Sequence, residues 1–113
     1  MRNLESLTID KAKITSLDLS QNKKLMVLYA WDNKINSIDL SNNTELVEVV
    51  FDNNELSELD LSNNKKMRTL SIHENNLVTL DLSNNTAMKE LHLENNKLES
   101  LNLVGATALQ VLD

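Results

Sequence analysis

The stretch Leu80-Asp81-Leu82-Ser83-Asn84-Asn85 decides how this chain folds. It recurs almost letter for letter at Leu59 to Asn64, Ile38 to Asn43 and Leu17 to Asn22, with a decayed copy at Leu101 to Ala106. The copies start at 17, 38, 59, 80 and 101, a constant 21-residue step. A fixed period of 20–50 residues is the mark of a repeat architecture and has to be read before any local element.

A second period lies inside the first. The pattern apolar-x-x-apolar-x-apolar-x-x-Asn occurs twice in each step. First-half units begin at Leu4, Leu25, Leu46, Met67 and Met88, and second-half units at Ile14, Ile35, Leu56, Leu77 and Leu98. All thirty first, fourth and sixth positions are apolar. Ala30 is the smallest occupant and stands one step from Phe51, the only Phe, a pairing that suits a shared, filled volume. The fourth and sixth positions alternate with period 2, so each unit holds a short strand. Strands this close together leave no room for helices. The chain must coil, each turn stacking on the last at about 4.8 Å.

The ninth position is Asn in eight of ten units: Asn22, Asn33, Asn43, Asn54, Asn64, Asn75, Asn85 and Asn96. A carboxamide has donors and an acceptor, so a stack of them can bond the backbone groups freed at each bend. Ala12 and Ala106 are the exceptions, in the first and last double units, as expected if the ladder runs out of neighbours there. With one Gly and no Pro, Asn is also the expected supplier of the turn conformations.

The units Leu46-x-x-Val49-x-Phe51-x-x-Asn54 and Met88-x-x-Leu91-x-Leu93-x-x-Asn96 resemble the core motif of leucine-rich repeats. The 21-residue length with a second Leu-x-x-Leu-Asp-Leu-x-x-Asn half is most similar to the short bacterial IRREKO-type class. The resemblance covers nearly the whole chain. It implies a mainly β, right-handed solenoid of about five coils with short parallel strands, used for protein recognition and not for catalysis. The expected organisation is one domain, 1–113, with repeats 4–24, 25–45, 46–66, 67–87 and 88–108 and a partial unit 109–113. An extracellular or cell-surface bacterial setting is expected.

Composition narrows the partners. Eleven Lys+Arg against 17 Asp+Glu give a net charge of −6, the opposite of a nucleic-acid footprint. No apolar run is long enough to insert in a membrane. The absence of Cys removes disulfides and thiolate metal sites. No cofactor is expected.

The two halves differ in their outward residues. In the second half the fifth and seventh positions read Asp18/Ser20, Asp39/Ser41, Asp60/Ser62, Asp81/Ser83 and Asn102/Val104. In the first half they read Thr8/Asp10, Tyr29/Trp31, Val50/Asp52, Ser71/His73 and His92/Glu94. A scaffold face repeats one solution, whereas a recognition face differs at each point. The candidate partner-binding residues are therefore Tyr29, Trp31, Val50, Asp52, Ser71, His73, His92 and Glu94, for a protein or peptide partner. The lone Trp and lone Tyr share one strand, the kind of aromatic anchor that interfaces use. The blander reading is that they cover the sheet and add cross-strand contacts.

Three features suggest chemistry and are set against plainer accounts. His73, His92 and Glu94 could approach a metal, but an open flat sheet offers no closed shell, so no metal is expected. Ser71 and His92 suggest hydrolysis, yet no nucleophile elbow or oxyanion feature accompanies them, so no enzyme is expected. The column Asp18, Asp39, Asp60, Asp81 could take calcium, but hydrogen bonds from neighbouring Ser and backbone donors account for it without Gly-rich turns. The sequons at Asn42 and Asn84 follow from the repeat itself.

The repeat pattern running to both ends of the sequence, without the polar capping segments such arrays usually carry, leads to the expectation that exposed strand edges associate. A homo-oligomer through uncapped ends is thus a further expectation. The alternative to a recognition scaffold is a structural or designed self-associating array without a foreign ligand.

Overall fold

The computed structural model describes residues 3–113. Among the described residues eight strands form, each two or three residues long: β1 Ser6–Thr8, β2 Val27–Tyr29, β3 Glu48–Val50, β4 Thr69–Ser71, β5 Thr79–Asp81, β6 Glu90–His92, β7 Ser100–Asn102 and β8 Val111–Leu112. The first-half strands pair in parallel as one sheet, β1-β2-β3-β4-β6-β8. Register follows the repeat: Leu7 pairs with Leu28, Leu28 with Val49, Val49 with Leu70, Leu70 with Leu91 and Leu91 with Leu112. Each fourth-position residue thus lies beside its copy in the next repeat, and the period written in the sequence is the coil of the solenoid.

The apolar positions fill the inside. Among the described residues the core comprises 21 buried residues, all drawn from the thirty apolar repeat positions, with Ala30 and Phe51 both fully buried. The half-buried remainder belongs to the outer coils, apart from Ile38. Burying a Leu or Phe side chain is worth about 1.5–3 kcal/mol. The stacked interior therefore drives a fold with no helix among the described residues, and none long and apolar enough to cross a membrane.

Two asparagine ladders line the bends. In the first-half ladder both ends of the carboxamide work. Asn54 Nδ2 reaches the carbonyls of Ala30, Phe51 and Asp52, while its Oδ1 accepts from the Ile35 amide at 3.1 Å. Asn33, Asn75 and Asn96 repeat this scheme. In the second-half ladder Asn43, Asn64 and Asn85 donate backwards to the preceding coil: Asn64 to Leu40 and Asn43, Asn85 to Leu61 and Asn64. Because these bonds run backwards, an Asn at 106 would meet the Leu82 and Asn85 carbonyls. A missing neighbour does not explain Ala106.

The turn residues depart from expectation. Left-handed backbone occurs at Lys11, Lys13, Asp32, Asn53, Glu74, Asn95 and Gly105. Only two of these are Asn. Five of them, Lys11, Asp32, Asn53, Glu74 and Asn95, occupy the eighth position of the first-half units, just before the ladder residue. The ninth-position Asn is held by its buried side chain, and the turn is made by whatever precedes it. The second-half segments also pair less than their pattern suggests: only β5 and β7 form a sheet.

Candidate functional site

The outward face of the long sheet carries three columns of side chains, at the third, fifth and seventh positions of the first-half units. Period-2 alternation places the third and fifth positions on the same side of a strand. The candidates drawn from sequence cover the fifth and seventh columns and omit the third, which holds Val27, Glu48 and Glu90 within the strands. That alternation is the signal that would find it.

Tyr29 and Trp31 come together, although β2 ends at Tyr29 and Trp31 lies just beyond the strand the two were expected to share. Tyr29 and Trp31 pack with ring centroids 5.8 Å apart and planes tilted by 53°, an arrangement aromatic rings favour. The Tyr29 hydroxyl donates to Glu48 Oε1 at 2.7 Å, and this bond to a carboxylate raises the phenol pKa above its usual value. Both rings are half-buried, as is Val50, beside Tyr29 in the next strand.

The middle of the face is tied down. Asp52 Oδ1 accepts from the Ser71 hydroxyl at 2.7 Å and from the His73 amide at 2.9 Å. Ser71 is only 8% exposed, so it supports Asp52 more than it offers surface. Its hydroxyl is also turned away from the base role imagined for His92.

At the far end His73 and His92 meet edge to face, with ring centroids 5.5 Å apart. His73 Nε2 lies 3.9 Å from Glu94 Oε1, and His92 Nε2 lies 3.7 Å from Glu90 Oε2. His92 Nδ1 is 2.5 Å from Asp113 Oδ2, and that hydrogen bond raises the imidazole pKa. Asp113 is absent from the candidates drawn from sequence. It stands one repeat after His92, at the fifth position of the partial unit, so following the column to its end finds it.

On the second-half side, each Asp holds the amide two residues on. Ser20, Ser41, Ser62 and Ser83 donate at 2.9 Å to Asp18, Asp39, Asp60 and Asp81, and the bonds to Ser hold all four carboxyl pKa values below the usual one. This is the plainer account of the column. A groove of about 430 Å³ opens on this side, lined by Ile38, Glu58, Leu59, Asp60, Thr79 and Asp81 among others. Near-identical repeats carry no signal for it.

No family model and no curated relative matches the sequence; the similarity is to solved structures. The functional domain of InlJ from Listeria monocytogenes, which includes a cysteine ladder, superposes with a TM-score of 0.94 at 35% identity. The match covers 97% of this chain and 25% of that one, so the chain spans a quarter of that relative's length. The internalin InlF from Listeria monocytogenes matches with TM-score 0.73 and 20% identity over 99% of this chain and 48% of that one. TLR13 in complex with ssRNA13 matches with TM-score 0.68 and 20% identity over 88% and 16%. The last two likenesses bear on fold alone. The chain is a leucine-rich-repeat protein, a β-solenoid of about five turns with a period of about 21, of the bacterial kind. Where InlJ includes a cysteine ladder, this chain has no cysteine and stacks asparagine.

Proposed function

We propose that this chain is a non-catalytic scaffold that binds a protein or peptide across the outward face of the long sheet. Tyr29, Trp31 and Val50 form the apolar anchor, and Asp52, His73, His92 and Glu94 form its polar flank, with the buried Ser71 bracing Asp52. One observation carries this reading. The single Tyr and single Trp pack together at 5.8 Å on the one face whose outward residues differ from coil to coil. Similarity to leucine-rich-repeat recognition proteins supports it, and similarity to internalins supports an extracellular bacterial setting. The RNA in the TLR13 complex belongs to that protein; the net charge of −6 here disfavours the same ligand.

A peptide library displayed on phage and panned against the chain tests the proposal. Selected peptides are expected to lose about tenfold or more in affinity, about 1.4 kcal/mol, with Trp31→Ala. They should be indifferent to Asp39→Asn on the second-half side. Peptides that ignore Trp31 would overturn the assignment of the face. No enrichment, with a light-scattering mass that climbs with concentration, would favour the self-associating array instead.

A further inference from the structure

We propose that His73, His92, Glu94 and Asp113 form a binding site for a divalent cation of the zinc type. The sequence pattern argued against a metal because an open sheet offers no closed shell. The structure alters two premises of that argument.

The first is ligand number. The three groups visible in the pattern are joined by Asp113, and each of the four residues can offer one ligand atom such that all four atoms lie within 4.8 Å of one another. Zinc holds N and O ligands at about 2.0–2.2 Å in a tetrahedron, so bound donors sit closer together than this. Inward movement of the exposed Glu94 and Asp113 carboxylates would close the difference. Two imidazoles and two carboxylates suit a borderline-soft ion better than calcium, which takes oxygen ligands throughout.

The second premise is openness. The side chains of His73 and His92 are only 30% and 23% exposed. His73 Nε2 is shielded from solvent and has no hydrogen-bond partner, although buried polar atoms normally find one. It faces Glu94, 3.9 Å away. With His92 Nδ1 turned to the Asp113 side, Glu90 lies 3.7 Å from Nε2, where it can orient the ring as outer carboxylates do for ligating histidines.

The ligands come from three successive coils. His73 follows β4, His92 and Glu94 belong to and follow β6, and Asp113 follows β8. A bound ion would staple these strands side by side, linking metal affinity to stability of this end of the sheet. The site shares His73, His92 and Glu94 with the polar flank of the partner surface but draws nothing from its aromatic anchor, Tyr29, Trp31 and Val50.

Zinc chloride titrated calorimetrically into tag-free chain at neutral pH tests the site, with cobalt(II) visible absorption as a second readout of ligand geometry. Expected are one ion per chain, a cobalt spectrum of tetrahedral type, and affinity reduced at least tenfold by His73→Gln and by His92→Gln. Asp39→Asn with Asp60→Asn should leave binding unchanged. Circular dichroism melts without metal establish that the variants fold. Absent saturable zinc binding, binding that survives the double His73→Gln, His92→Gln change, or binding lost with the Asp39 and Asp60 changes would each overturn the proposal. None of those results touches the aromatic face.

Discussion

Asn54 Nδ2 donates to the carbonyl of Ala30 across 2.8 Å, joining two coils through residues 24 apart in the chain. The neighbouring ladder uses a different bond set: Asn64 donates to Leu40 and Asn43, and no donor meets its Oδ1. The two ladders look alike in sequence and should differ in energy. Leaving a buried polar partner unmet costs about 1–3 kcal/mol. Asn54→Ala should therefore destabilise by about 3 kcal/mol and Asn64→Ala by about 2 kcal/mol. Asn63→Ala, at an exposed position, should stay within about 0.5 kcal/mol. Urea melts of the three variants measure the order, and equal losses would refute the account of the ladders.

Glu74 sits at φ 56 in the position that Asn53 and Asn95 fill in neighbouring coils. A left-handed backbone costs an ordinary L-residue about 1–2 kcal/mol, and less for Asn. Glu74→Asn should stabilise the fold by about 0.5–1 kcal/mol. A lower melting temperature for this variant would mean that Glu74 makes a compensating contact.

Trp31 and Leu61 separate surface from core. Trp31 is half-buried, whereas Leu61 is 1% exposed. Leu61→Ala should cost about 2–5 kcal/mol as a buried truncation. Trp31→Ala loses one ring contact worth about 0.5–1.5 kcal/mol and should keep the same unfolding cooperativity. A broadened or lost transition in the Trp31 variant would place that ring in the core.

Four Asp side chains give the fold an acid limb. Asp18, Asp39, Asp60 and Asp81 all have carboxyl pKa values lowered from 3.8, chiefly by hydrogen bonds from Ser20, Ser41, Ser62 and Ser83. A lowered folded-state pKa means the charged form is favoured by folding. That stability is present above about pH 4 and is lost as pH falls through the depressed folded values. Asn in their place keeps the acceptor, as Asn102 does for the Val104 amide, and removes the titration. Melting temperature should thus fall less steeply below pH 4 in the fourfold Asp→Asn variant than in the parent. An unchanged acid slope would assign acid sensitivity to other carboxylates.

Much of the fold was legible in the residues. Leu7, Leu28, Val49, Leu70, Leu91 and Leu112 recur once per repeat and lie side by side in the sheet. A solenoid converts sequence period directly into spatial neighbourhood. The approach of Glu94 to His73, one period apart, was legible for the same reason, whereas the packing of Tyr29 on Trp31 was legible from alternation within a single coil. The turn chemistry was not. Asn53 and Asn54 are the same residue type, yet one adopts left-handed backbone and the other is buried by its bonds to Ala30, Phe51 and Asp52. A pattern of letters does not distinguish those roles.

By itself the sequence determined the coil length, the apolar interior, the asparagine ladders and the variable face, because each depends only on which side of a repeating backbone a residue occupies. Tertiary structure decided what depends on distance. It paired β5 with β7 while leaving 37–39 and 58–60 outside any sheet, and it opened the groove beside Ile38 and Leu59. It also turned the Ser71 hydroxyl to Asp52 and brought Asp113 to the two histidines. Hydrogen-bond partners and side-chain approach are set by ångström-scale geometry between coils, which the repeat period leaves open.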